Sequence, residues 1–285
     1  MTAGLRVPTE DDAATAAQLM SEYSPEPTDE EQVRLTWSGP TFELEHDARI
    51  EGDAYAHVQS LGDERVWIDV RGRPSTALLD WAETRARETA TRLFAGAWDA
   101  DEAVRSELER RGFRSVRYAK RMRIELDGKT SEPTWPSGIH VRPMSTGDER
   151  TFYEVQQEVF ADTWEPVEDT FEEWSHYLLH SPSFDPQLWF LALQGSEAAG
   201  FAICKVHPGE ADLGRVQILG VRRPWRGRGL GRALLLHSFH AFRRLGLRHA
   251  GLGVDAESPT GAVQLYESVG MWAAAQFEIR EKVVA

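Results

Sequence analysis

The clearest periodicity in the chain lies in "LGRALLLHSFHAFRRLG". Apolar residues fall at 230, 234, 235, 239, 242 and 245, the spacing of one helix face. The stretch just before it, "GRVQILGV", alternates and is rich in β-branched residues, which predicts a strand. The same patterns predict strands at 139–143, 187–194, 199–207, 213–221, 248–254 and 276–284. They predict helices at 147–160, 168–180, 229–245 and 260–269. Strands interspersed with helices in this way argue an α/β fold around a mixed sheet.

The first half reads as a worn copy of the second. "GLRVPTEDDAATAAQL" and "GIHVRPMSTGDERTFYEV" both begin with a short strand, a polar turn and a helical pattern. "ELERRGFRSVRYAKRMRIEL" and "QLYESVGMWAAAQFEIREKVV" both close with a helix end, a Gly cap and a strand. Between them "DGKTSEPTWPSG" has turn residues and no hydrophobic period, so it predicts a linker. The expected organisation is a domain at 1–127, a linker at 128–138 and a second domain at 139–285.

Composition narrows the class. No apolar run approaches the roughly 18 residues of a membrane span, and no basic segment followed by an apolar one opens the chain. Cys204 is the only cysteine, which excludes an intrachain disulfide and a Cys-rich metal site and fits a reducing cytoplasm. The formal net charge is −14, which disfavours nucleic acid and anionic membranes as partners. Yet no Asp or Glu lies between Asp212 and Asp255, an interval with nine arginines. An acidic chain with one basic window suggests a compact anionic ligand.

That window contains "PWRGRGLGRALL", where a strand ends and a helix begins. A helix N-terminus offers unpaired N–H groups and the positive end of the dipole. Glycines there permit positive φ and close backbone approach, and arginines add forked donors. The string is not G-x-x-x-x-G-K-[ST]. Nor is it a dinucleotide fingerprint, since Gly227, Gly229 and Gly231 are spaced one residue too tightly. Arg226, Gly229 and Gly231 do fit R-x-x-G-x-G. With "LGVRRPWRGRGLGRALL" around it, the loop closely resembles the pyrophosphate loop of the GCN5-related N-acetyltransferase (GNAT) superfamily. "VDAESPTGAVQLYESVGMW" resembles that family's later motif, with Ser258 at the Asn position, Met271 in place of Phe, and Tyr266 on the family's tyrosine.

The resemblance implies two tandem GNAT-like domains, each a mixed, mostly antiparallel sheet flanked by helices. It implies acetyl-CoA as acyl donor, without a metal, and a small-molecule amine as acceptor. The implied coenzyme contacts are Leu219, Gly220, Val221, Arg226, Gly227, Arg228, Gly229, Leu230, Gly231, Arg232 and Ser258. Tyr266 is the implied general acid. His207, ending a strand, is a candidate base; Glu210, Asp212, Glu165, Glu168 and Glu173 compete with it. In the first half "VWIDVRGRPSTALLDWAETRAR" fills the same strand–loop–helix slot, but Ser75 and Ala77 replace the paired glycines, which implies a degenerate domain without coenzyme. Tandem members such as the mycothiol synthases share this arrangement, but their catalytic glutamate falls at Arg215 here. A different acyl thioester, or a non-catalytic acyl-CoA-binding protein, would use the same loop. A homodimer is compatible with the chain.

Overall fold

The computed structural model describes all residues except 1–3, 26, 129, 167–168, 208–209, 259 and 285. Two compact units divide the chain. They are interleaved in sequence. The first takes Met1–Lys120, Val167–Pro182 and Ala275–Ala285; the second takes Arg121–Pro166 and Ser183–Ala274. The predicted linear boundary at 128–138 therefore assigns three segments differently. Strand pairing is the reason for one of them: residues Phe277–Val283 add antiparallel to Arg92–Trp98 of the first unit.

In the first unit, helices α1 (Ala13–Ser21), α2 (Glu30–Trp37) and α3 (Leu44–Asp47) lead into strands β1 (Ala48–Glu51), β2 (Ala54–Gly62) and β3 (Arg65–Gly72). Helix α4 (Thr76–Arg87), strand β4 (Arg92–Trp98), helix α5 (Glu102–Arg110) and strand β5 (Arg114–Glu125) follow. The strand order is β1-β2-β3-β4 and then β11 (Trp272–Val283). Only β3 and β4 run parallel within this order, and their pairing stops at Ile68 and Ala95. One sheet face buries Ala54, Ala56 and Val58 against Leu78, Leu79 and Ala82 of α4. The other packs Tyr55 with Trp37 and Phe42.

The second unit carries β6 (Ile139–Pro143), α6 (Glu149–Phe160), β7 (Trp189–Gln194), β8 (Glu197–Val206) and β9 (Leu213–Val221). Then come α8 (Leu230–Arg244), β10 (His249–Asp255) and α9 (Ala262–Ser268). Helix α7 (Phe171–Leu179) belongs to the first unit. Residues 121–125 of β5 open the order β5-β10-β9-β8-β7-β6. Again one strand pair is parallel, β9 with β10, and it ends after Arg215 and Gly251.

The predicted periodicity of α8 is its packing as far as Phe242, whereas Leu245, at the helix end, is exposed. Leu234, Leu235, Phe239 and Phe242 bury against Phe190, Ala202, Cys204 and Val216. Gly214 is needed there, because a Cβ would overlap the Phe242 ring. On the opposite face Phe152 of α6 sits edge-on to Trp189 at 5.3 Å and to Phe201 at 5.9 Å. Among the described residues no helix is long and apolar enough to cross a membrane.

Candidate active site

Where β9 leaves β10, its backbone has lost one neighbour. Arg222 N donates to Ala199 O at 3.0 Å, and Val221 lies opposite Gly200 in the antiparallel register with β8. Antiparallel alternation then directs the Gly220 amide toward β8 and the Leu219 and Val221 amides away from it, toward the parted side. Of the three expected donors, Leu219 and Val221 thus face the opening. Gly220 has a packing role: a Cβ there would lie 2.5 Å from the Phe201 ring and 3.1 Å from Val159 Cγ1.

The chain then makes a short 3-10 turn, Arg223–Trp225, with Pro224 in its first positions. Trp225 is buried, and its indole donates to Gln194 Oε1 at 2.7 Å, which pins the turn to the end of β7. Gly227 and Gly229 follow with φ of 72° and 84°. Gly229 caps α8, and no described atom lies within 4 Å of a Cβ built at either glycine. Ala233 N makes the first helical bond to Gly229 O, leaving the amides of Leu230, Gly231 and Arg232 without intrahelical partners. Three free donors at the positive end of a 15-residue helix form an anion cradle.

The arginines of the acid-free window divide by role. Arg222 pairs with Glu158 at 2.7 Å and with Glu197 at 3.2 Å. Arg223 pairs with Asp162, and Arg248 with Asp212. Arg226 turns back from the cradle: Nε donates to Val221 O at 2.9 Å and Nη2 to Val159 O at 3.4 Å. Arg228 and Arg232, beside the free amides, have no carboxylate partner among the described residues. The carboxylates that neutralise the others come from distant sequence, which a window count cannot see.

Arg215 sits on β9 opposite Lys205 of β8 and Gly251 of β10. Burial pulls its guanidinium down to about 10, and burial also lowers Arg121. The two converge over Gly253: a Cβ there would lie 3.6 Å from Arg215 Nη2 and would overlap Arg121 Nη1. Arg215 remains cationic at neutral pH and cannot accept a proton. Nothing local in "YAKRMRIEL" separates the inward Arg121 from Lys120 and Arg123.

Tyr266 is buried on α9, and burial pushes its hydroxyl up to about 12. It therefore stays protonated at physiological pH. Ser258 bonds Thr260 Oγ1 at 2.9 Å in the turn before α9, and Gly261 caps that helix at φ 72°. His207 is buried at the end of β8, its amide donating to Leu213 O at 2.8 Å. Three of the competing carboxylates are engaged elsewhere. Glu210 pairs with Arg123, Asp212 with Arg248, and Glu173 closes a capping box with Thr170. Glu165 has a φ of 47°, and Glu168 lies outside the described residues. The Cys204 thiol, donating to Ser238 Oγ at 3.3 Å, is pushed up to about 12 by burial, which suits a core residue. Among the described residues no cluster of His, Cys, Asp or Glu could hold a metal.

The corresponding slot of the first unit is filled. Ser75 caps α4 by accepting from Leu78 N at 3.1 Å, and it donates to Glu51, which sets a carboxylate at that helix end. Where β3 leaves β4, Arg71 pairs with Asp69 at 2.7 Å and reaches Gly96 O at 3.5 Å.

A parted parallel strand pair, a glycine loop opening the crossover helix and a tyrosine on the next helix are features of an acetyltransferase fold. The Acetyltransferase (GNAT) family model matches residues 150–271. The chain is 33% identical over 277 residues to a mycothiol acetyltransferase of Geodermatophilus obscurus, covering 90% of this chain and 87% of the relative. It is 36% identical over 164 residues to that of Thermobispora bispora, covering 56% of this chain and 55% of the relative. A GCN5-related N-acetyltransferase of Sphaerobacter thermophilus superposes with a TM-score of 0.77 at 30% identity, over 98% of this chain and 95% of the other. A tandem GNAT protein from the clavulanic acid biosynthesis pathway shares the fold at TM-score 0.70 and 14% identity, over 100% and 98%. The chain belongs to the GNAT family and is an N-acetyltransferase of its tandem type.

Proposed function

We propose that the second unit moves the acetyl group of acetyl-CoA onto the primary amine of a small molecule, by direct attack in a ternary complex. The first unit holds no coenzyme in this reading. The observation that carries it is the set of free amides at Leu230, Gly231 and Arg232, behind two left-handed glycines, at the end of a strand parted from its neighbour.

Leu230, Gly231 and Arg232 bind the pyrophosphate through their amides, with Arg228 and Arg232 adding charge at the rim. Leu219 and Val221 donate to the thioester carbonyl; one such donor is worth roughly 2.7–4 kcal/mol in the transition state. Tyr266 gives its proton to the departing thiolate, a transfer of the kind that contributes about 10²–10⁴-fold. His207 lies beside Leu213 at the start of β9, the far end of that strand from Leu219 and Val221, so it is left out of this reading and the amine's proton passes to solvent. The mycothiol acetyltransferase relatives favour a small-molecule acceptor. Arg71 and the Ser75–Glu51 pair support a first unit closed to coenzyme.

Calorimetry tests this directly. One acetyl-CoA binds per chain, and Gly229→Glu abolishes binding by filling the cradle with a side chain and a negative charge. Two molecules per chain, or an unaffected variant, would refute the assignment.

A further inference from the structure

We propose that Arg226 is a positioning residue. Its guanidinium clamps the end of β9 to the end of α6 so that the Val221 amide stays aimed into the strand opening, and it is not a phosphate ligand.

All three guanidinium nitrogens are directed at protein acceptors. Nε reaches Val221 O at 2.9 Å, Nη2 reaches Val159 O at 3.4 Å, and Nη1 lies 3.5 Å from Asp162 Oδ2. Three of the fork's five N–H groups, one on each nitrogen, are thereby committed to protein, which opposes a bidentate phosphate contact. Val159 belongs to the last turn of α6, whose carbonyls have no helical partner, so the cation also caps that helix end. Two neighbours strengthen the same strap: Arg222 bonds Glu158 at 2.7 Å, and Arg223 Nε bonds Asp162 at 2.8 Å. The strand and helix ends already touch, since Gly220 leaves room for Val159 Cγ1. Amide and carbonyl of one strand residue point to the same side. Holding the Val221 carbonyl therefore fixes the direction of the Val221 amide, the donor proposed for the thioester.

Hydrogen exchange on the full chain without ligand is the first test, and it does not depend on the coenzyme reading. Arg226→Gln is expected to speed exchange in 218–222 and 158–162 by about tenfold or more. Unchanged exchange overturns the clamp. The kinetic test rests on the acetyl-CoA reading and compares two donors, acetyl-CoA and acetyl-pantetheine, which lacks the pyrophosphate. A positioning role predicts that Arg226→Gln lowers kcat about tenfold with both donors, with the acetyl-CoA Kd changed less than about threefold. Arg226→Lys, able to reach one carbonyl, recovers part of kcat. A loss confined to acetyl-CoA and seen in Kd overturns the proposal. Asp162→Asn provides a variant that keeps the arginine. The clamp reading predicts faster exchange and no gain in affinity, whereas a phosphate ligand released from Asp162 would bind acetyl-CoA more tightly. Wild-type protein that binds no acetyl-CoA would defeat the coenzyme reading and leave the exchange result to decide on Arg226.

Discussion

Asp69 and Arg71, two residues apart on β3, meet as a buried ion pair at 2.7 Å where β3 leaves β4. The contact is close but off-axis, since Asp69 Oδ1 accepts no aligned hydrogen bond. Removing one member strands the other charge in the interior. Arg71→Leu should destabilise the protein by about 3–5 kcal/mol in denaturant titrations, and the Asp69→Leu, Arg71→Leu double variant should recover most of that. A double variant no better than the single would show that the pair contributes more than its own burial costs.

Gly229 and Gly231 should respond to alanine in opposite ways. Gly229 has a φ of 84°, so Gly229→Ala should lose about 1–2 kcal/mol from backbone strain. Gly231 is inside α8 without positive φ, and a Cβ there meets Leu265 Cδ2 only at 3.4 Å. Gly231→Ala should therefore fold as well as or better than wild type, by up to about 1 kcal/mol, while binding acetyl-CoA more weakly. Thermal melts with calorimetry separate the two effects.

Gly214→Ala should cost about 1–3 kcal/mol, because its Cβ would enter the Phe242 ring. Phe242→Leu in the same chain should return part of the loss. Coenzyme affinity should not change, as the clash lies on the sheet face under the body of α8.

Tyr266→Phe should slow turnover by about 10²-fold or more with little change in acetyl-CoA Kd. A pH dependence follows from the raised hydroxyl. Its folded value is about 12 against 10.0 unperturbed, so the stability tied to keeping it neutral is full below pH 10 and falls as pH rises toward 12. The Phe variant should lose that component of the alkaline slope. Equal slopes would remove burial as the cause.

Local pattern was enough to place the strand and the helix that flank the glycine loop. The alternation of "GRVQILGV" and the 3.6-residue spacing after Leu230 place a strand and a helix on either side of the glycines, and β9 and α8 lie there. What pattern could not supply was the partner of each charge. Four arginines of the acid-free window find carboxylates at Glu158, Asp162, Glu197 and Asp212, whose spacing in sequence carries no sign of it. The same blindness holds for Arg71. In "VWIDVRGRP" it reads as one more polar position, and its place in the strand opening is set by where β4 diverges. Periodicity reports which face a residue is on; pairing between distant segments reports what it meets.

The placement of β11 bears on how the protein comes into being. Strand β4 is synthesised roughly 180 residues before the segment Phe277–Val283 that pairs with it. At about 5–20 residues per second, the amino-terminal unit waits on the order of ten seconds or more with an uncovered strand edge. Its folding is therefore completed late in translation, although its own residues come first. Separate expression of 1–127 and 139–285 should yield an aggregation-prone fragment, and co-expression of the two should rescue its solubility.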